Sequence, residues 1–239
     1  MQVTRATILS TRPIEPSLIQ KAEEAGVHID TASFIEVEKN DAIEVLQKIK
    51  ESVALRATVV FTSMNAVEAV ADELNDQRPD WSIYCIGSTT KELVEQSFGR
   101  ERIAGTAKDA SALARVIIED KGTREVIFFC GDQRRQELPE LLRKNNIAAT
   151  EIEVYKTKPI HQHVEKDYDG ILFYSPSSVS SFFNDNTVKA DTVLFAIGNT
   201  TAAEIRRFAT NMVIISEEPG KKYLIEKAIK YFQVKSPLH

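Results

Sequence analysis

Residues 59–70 read VVFTSMNAVEAV, and residues 171–183 read ILFYSPSSVSSFF. In both, an apolar run of β type stops at small hydroxyl or amide residues, and a helical pattern takes over. A second pair follows each at a similar distance: residues 84–99 are YCIGSTTKELVEQSFG and residues 195–210 are FAIGNTTAAEIRRFAT. The copies are offset by about 110 residues, too long for a solenoid repeat and the right length for one duplicated domain. A strand-to-helix junction is where α/β proteins present backbone N–H groups to ligands. Two such halves facing each other would make a cleft lined with neutral donors.

Outward from these stretches, strand and helix patterns alternate. Thr7–Leu9 is an apolar strand start broken by TRPIEP, and Leu18, Ile19, Ala22 and Ala25 keep helical spacing up to Gly26. Val27–Val37 and Ile147–Thr157 read as extended, Thr58–Phe61, Ser82–Ile86 and Val126–Cys130 as strands. Helices are expected over Asp41–Ile49, from about Ala66, over Thr89–Phe98, and around Leu113 and Leu138. From Gly170 to Phe232 the pattern continues β-α-β-α-β-α. The longest polar, break-rich stretch is Lys156–Asp169. Short strands alternating with helices predict an α/β fold of two similar domains, each a parallel sheet flanked by helices.

The repeat also divides the chain. The motifs at 59–99 go with the strand–helix pattern of 126–150, and those at 171–210 need residues 5–35 as partner. The expected organisation is a discontinuous domain of residues 1–34 and 158–239, with an inserted domain of residues 38–152. Residues 34–38 and 152–158 would connect them as a two-stranded antiparallel linker, inferred from the likeness of SFIEVE and IEVYKT. Two connections make a hinge, and a hinge lets a cleft open and close.

A net charge of −5 and 43% hydrophobic residues suit two modest cores and argue against a nucleic-acid or membrane-surface binder. No apolar run approaches the roughly 20 residues that span a bilayer. The start, MQVTRATILSTRP, lacks the pattern of a signal peptide, so the cytoplasm is the expected location. Cys85 and Cys130 lie in apolar strand-like runs with no C-x-x-C partner and read as inert buried thiols. His161 and His163 have no third ligand nearby, so no metal is expected, and no motif calls for a nucleotide or other cofactor.

Ser63 and Asn65 in one copy, and Ser175 and Ser177 in the other, stand at strand-to-helix turns. So do Thr89 and Thr90 after Gly87, and Thr200 and Thr201 after Gly198. Each site alone is explained by helix capping, because Ser, Thr and Asn oxygens accept the orphan N–H bonds of a first turn. Four at equivalent places favour ligand binding. Arg12, ending the first strand, is either a fork for a carboxylate or a solvated side chain, and Arg134 and Arg135 face the same choice. Tyr155 lies in the second connection; it is a packing residue or, beside a cleft, a donor whose phenol stays protonated at neutral pH.

Taken in order, LSTRP (9–13), VVFTSMNAVEAV, CIGSTTKELVEQSFG (85–99), FFCGDQRRQELPELLRKNNI (128–147), EVYKTKP (153–159), LFYSPSSVSSFF (172–183) and AIGNTTAAEI (196–205) make the chain resemble the uroporphyrinogen-III synthase family. The resemblance spans nearly the whole chain. It implies two α/β domains joined by a two-stranded ladder, the first one discontinuous. It implies a small-molecule linear tetrapyrrole substrate, hydroxymethylbilane, which loses water to give an azafulvene. Attack at the substituted carbon of ring D then forms a spiro intermediate, and recombination closes the macrocycle with that ring inverted. By the family pattern Tyr155 assists loss of the hydroxyl. Ser63, Asn65, Thr89, Thr90, Ser175, Ser177, Thr200 and Thr201 are the expected cradle for the substrate carboxylates, with Arg12 adding a charge contact. The family often has proline or glycine where this chain has Asn199 and Ser88, and a basic residue where it has Asn65.

The rival is a non-enzymatic two-domain protein binding a carboxylate or sugar in the same cleft. A tandem receiver-type regulator is weaker, because its strand ends would need a phosphorylatable Asp where this chain has Ser and Thr. A monomer is expected.

Overall fold

The computed structural model describes residues 6–218 and 220–235. The outermost residues of the expected first domain, 1–5 and 236–239, lie outside these. The chain divides into two compact units, residues 1–36 with 158–239 and residues 37–157.

In the unit of residues 37–157, β4 (Thr58–Phe61), β5 (Ser82–Ile86), β6 (Ile103–Ala107), β7 (Glu125–Gly131) and β8 (Ala148–Pro159) are joined by α3 (Met64–Leu74), α4 (Ser88–Phe98), α5 (Ala110–Glu119) and α6 (Glu137–Lys144). The helix α2 (Ile43–Val53) precedes β4. The sheet runs β3-β8-β7-β4-β5-β6, where β3 is Ile35–Lys39, and the pairs among β4, β5, β6, β7 and β8 are parallel. Its apolar strands are buried on both faces. Phe61, Phe98, Phe129 and Trp81 form one aromatic cluster with ring centroids 5.5–5.8 Å apart. The indole N–H of Trp81 donates to the Ser52 carbonyl at 2.9 Å, so the buried polar end of that ring is satisfied.

In the other unit the sheet runs β11-β10-β9-β1-β2, all parallel, from β1 (Ala6–Ser10), β2 (Val27–Thr31), β9 (Gly170–Phe173), β10 (Val193–Ala196) and β11 (Val213–Ile215). Its helices are α1 (Pro16–Glu24), α7 (Pro176–Asp185), α8 (Asn199–Phe208) and α9 (Lys221–Lys235). Taking β9, β10, β11, β1 and β2 as first to fifth, the order across the sheet is 3-2-1-4-5. Taking β4, β5, β6, β7 and β8 as first to fifth gives the same order. The two sheets are one topology, and in the unit of residues 1–36 and 158–239 it is circularly permuted. In each, the order reverses beside the first strand, and there the carboxyl ends of neighbouring strands splay apart to make a binding crevice.

The α/β class, the parallel sheets and the antiparallel connection are those expected. Asn40 N–H donates to the Val154 carbonyl at 3.0 Å and Ile160 N–H to the Phe34 carbonyl at 2.9 Å, a register in which β3 and β8 run in opposite directions. Two details differ. The strand β8 runs through Lys156–Pro159, so only residues 160–169 of the polar stretch form a loop. That loop is tied down by Asn186, which donates to the Gln162 carbonyl at 2.9 Å and accepts from Val164 N–H at 2.7 Å. The strand β6, Ile103-Ala-Gly-Thr-Ala107, has too few large apolar side chains to be read from pattern. Its Gly105 passes so close to Tyr84 that a methyl group there would lie 2.8 Å from the ring.

Candidate functional site

In the unit of residues 37–157 the order reverses between β4 and β7, and three expectations meet at their carboxyl ends. Ser63 follows β4 and caps α3, its Oγ accepting from Asn65 N–H at 3.2 Å. The hydroxyl of Tyr155, from β8, donates to the same Oγ at 3.0 Å. Asn65 sits in the first turn of α3 against the phenol. Burial pushes the phenol's pKa above its ordinary value, partly opposed by the bond to Ser63. Tyr155 is therefore a neutral donor at physiological pH, half-buried, with its hydroxyl bonded to the rotatable hydroxyl of Ser63.

How Tyr155 reaches Ser63 is set by a break in register. Phe129 lies opposite Ile152 and Cys130 opposite Glu153, but Gly131 lies opposite Tyr155, with Val154 skipped. Ile152 and Val154 pack into the core that includes α3, and strict alternation would turn Tyr155 to the other face. The extra residue brings Tyr155 to the same face. The turn after β7 then clasps β8. Asp132 N–H donates to the Tyr155 carbonyl at 3.2 Å, Thr157 N–H to Asp132 Oδ1 at 2.9 Å, and Gln133 Nε2 to the Thr157 carbonyl at 2.8 Å. Arg134 bonds Glu151 and, at 2.7 Å, Glu153; its charge is held by the hydrogen bond to Glu151. Of the two arginine readings, Arg134 is thus a strut for β8, while Arg135 is exposed.

In the other unit the reversal lies between β1 and β9. Ser175 caps α7, accepting from Ser178 N–H at 3.1 Å, with Pro176 in the first turn where its missing N–H is not needed. Ser177 follows in that turn, half-buried. Arg12 leaves the end of β1 half-buried and pairs with no carboxylate among the described residues. Beside it Ser10 donates to the Arg12 carbonyl at 2.6 Å, and Ser10 and Tyr174 hydroxyls are 3.1 Å apart. A serine has one proton, so Tyr174 is the donor in that pair. Burial pushes the Tyr174 pKa up to about 12.

The threonines divide by position. Both α4 and α8 start after a glycine, Gly87 and Gly198, without a side-chain cap, so the capping explanation fails for Thr89, Thr90, Thr200 and Thr201. Thr90 is 7% and Thr201 1% exposed, so both residues are buried. Thr89 is half-buried and Thr200 exposed. Among the described residues no group of three His, Cys, Asp or Glu side chains could hold a metal ion, and His161 instead bonds Asp185 at 2.9 Å. Cys85 and Cys130 are free and buried, their thiol pKa values pushed up by burial to about 11 and about 12. Among the described residues no helix is long and apolar enough to cross a membrane.

Sequence reasoning read the Gly131–Arg135 turn for its arginines and passed over the glycine, although a glycine closing an apolar strand signals close approach. The Tyr174–Ser10 pair had no signal, because its partners are 164 residues apart.

Known proteins share this chain's family and fold. The chain is 24% identical over 209 residues to uroporphyrinogen-III synthase of Saccharomyces cerevisiae, covering 73% of this chain and 76% of that one. Its fold is similar to that of a mutant uroporphyrinogen III synthase from the extremely thermophilic bacterium Thermus thermophilus, with a TM-score of 0.67 at 11% identity over 96% of this chain and 99% of that one. It is similar also to the uroporphyrinogen-III synthetase of Helicobacter pylori, with a TM-score of 0.62 at 16% identity over 95% and 99% of the two chains. A family model described as uroporphyrinogen-III synthase HemD matches residues 16–226, and by that match the chain belongs to the uroporphyrinogen-III synthase family, enzymes of tetrapyrrole biosynthesis.

Proposed function

We propose that this protein cyclises hydroxymethylbilane to uroporphyrinogen III, with loss of water and inversion of ring D. The observation that carries the reading is the family match over residues 16–226. The unaided tetrapyrrole also closes, without inversion, so the protein has to make the inverting route faster by holding the chain in the right fold.

Tyr155 is the group we assign to departure of the hydroxyl. Its O–H turns from Ser63 to the leaving oxygen, which takes the proton and departs as water; the azafulvenium left behind gives its pyrrole N–H proton to the phenolate, and the azafulvene forms. Ser63 keeps its bond from Asn65 N–H and turns its own proton to the phenol oxygen, stabilising the negative charge that develops there. Strand-to-helix junctions in both units, with Arg12, are the contacts we assign to the acetate and propionate groups. First-turn N–H groups attract carboxylates without cationic side chains, which reconciles a net charge of −5 with a polyanionic substrate. At Thr90 and Thr201 the contribution we assign comes from the first-turn backbone, since both residues are buried.

We further infer a monomer acting in the cytoplasm; two free buried thiols fit a reducing compartment. The test is a coupled assay in which hydroxymethylbilane is generated, the protein added, and the oxidised products separated. Predominantly type III uroporphyrin supports the reading. Type I alone, at the uncatalysed rate with folded protein, overturns it and leaves a binding protein. Sedimentation of the active protein reports its mass.

A further inference from the structure

We propose that Gly131 is a positioning residue for Tyr155: the bare Cα of Gly131 is the floor on which the phenol ring lies, and this contact aims the hydroxyl at Ser63. The inference rests on the role assigned to Tyr155 above.

A methyl group on Gly131 would lie 2.5 Å from Tyr155 Cε2 and 2.8 Å from its hydroxyl oxygen, with Cζ closer still. Real methyl carbons do not approach ring atoms so closely, so any side chain would lift the ring. The backbone conformation does not require glycine there, since Gly131 is not among the residues with positive φ, and the three atoms nearest to an added methyl group all belong to Tyr155. The demand is for space. The surroundings leave the ring no easy retreat. The register break fixes Gly131 opposite Tyr155, Asp132 N–H holds the Tyr155 carbonyl, and Asp132 Oδ1 and Gln133 hold Thr157 two residues on. With the backbone clamped on both sides, a ring lifted by a methyl group has to swing about its side-chain bonds. Its hydroxyl then leaves the 3.0 Å bond to Ser63. Misplacing a reacting group by about 1 Å can lower a rate by about 10²-fold.

The experiment combines turnover with a thermal-stability cycle. Gly131→Ala is expected to lower kcat by about 10²-fold with KM little changed, because the displaced group acts on the chemical step. In the Tyr155→Phe background the same substitution is expected to lower kcat only slightly further. For stability, Gly131→Ala is expected to lower Tm in the native background and much less in Tyr155→Leu, where no ring meets the methyl group. If Gly131→Ala alone fails to fold, the proposal requires the Gly131→Ala/Tyr155→Leu protein to fold. An equal Tm loss in both backgrounds, or native kcat in Gly131→Ala, overturns the proposal. Native turnover in Tyr155→Phe overturns instead the role of Tyr155, and the stability cycle then still reports on the contact.

Discussion

Each unit pairs a tyrosine with a serine at the point where its strand order reverses, and the two pairs are built differently. Tyr174 is 7% exposed, and its partner Ser10 has already given its one proton to the Arg12 carbonyl. Thr11, fully buried beside them, donates to the Leu172 carbonyl at 2.8 Å. The three hydroxyls there are committed to one another and to backbone carbonyls. Tyr155 is half-buried, and Ser63 accepts two bonds while its own proton is committed to no described residue. Only the second pair can exchange donor for acceptor without breaking the fold. One topology thus carries a structural tyrosine in one unit and a chemically available one in the other.

The largest effect that separates them is on turnover. Tyr155→Phe is expected to lower kcat by about 10²–10⁴-fold with the fold intact. Tyr174→Phe is expected to leave kcat within a few-fold and to lower stability by about 1 kcal/mol, the worth of one hydrogen bond. The coupled assay and thermal melts check both, and equal kcat losses would erase the distinction.

Where the units are alike, equivalent substitutions should act alike. Phe61 and Phe173 hold the same place in the two copies, both fully buried among other rings. Phe61→Ala and Phe173→Ala are each expected to destabilise by about 3–5 kcal/mol in urea unfolding. A loss at one position only would mean that the cores are not equivalent.

Smaller effects sharpen the contrast. Ser63→Ala and Ser175→Ala each remove a helix cap, at about 1 kcal/mol. The Ser63 change alone is expected to lower kcat as well, since Ser63 also holds Tyr155. The smallest effect lies in the unit of residues 1–36 and 158–239, where His28 lies between Glu23 at 2.6 Å and Asp30 at 3.0 Å. The hydrogen bond to Glu23 is the main cause of a raised His28 pKa. A raised folded-state pKa stabilises below the unfolded value of 6.5, and that stabilisation is lost as pH rises through the folded value. Against His28→Gln, the native protein is expected to lose less than about 1 kcal/mol between pH 6 and pH 8, because the side chain is 43% exposed and solvent screens the pair. A difference that grows with pH would contradict the sign.

The repeat of apolar runs ending in Ser, Thr or Asn made the α/β class readable, because strands buried on both faces must be apolar throughout. Thr58–Phe61 and Ser82–Ile86 are strands over those same residues. The strand β6 was not readable, because Ala, Gly and Thr carry no periodic signal and its place depends on Tyr84. The candidate site was readable in its residue types and not in their directions. Gly-x-Thr-Thr looks the same whether a threonine is exposed, as Thr200 is, or buried, as Thr201 is.

By itself the sequence determined the layered α/β architecture, the duplication and the set of hydroxyl-bearing helix starts, since these follow from hydrophobic period and local turn chemistry. Only the tertiary structure decided that Tyr155 meets Ser63, 92 residues away, and that Gly131 lies under its ring. Both depend on one skipped residue in the pairing of β7 with β8. Pairing register is a property of two strands together, and a slip of one residue reverses the face to which a side chain points.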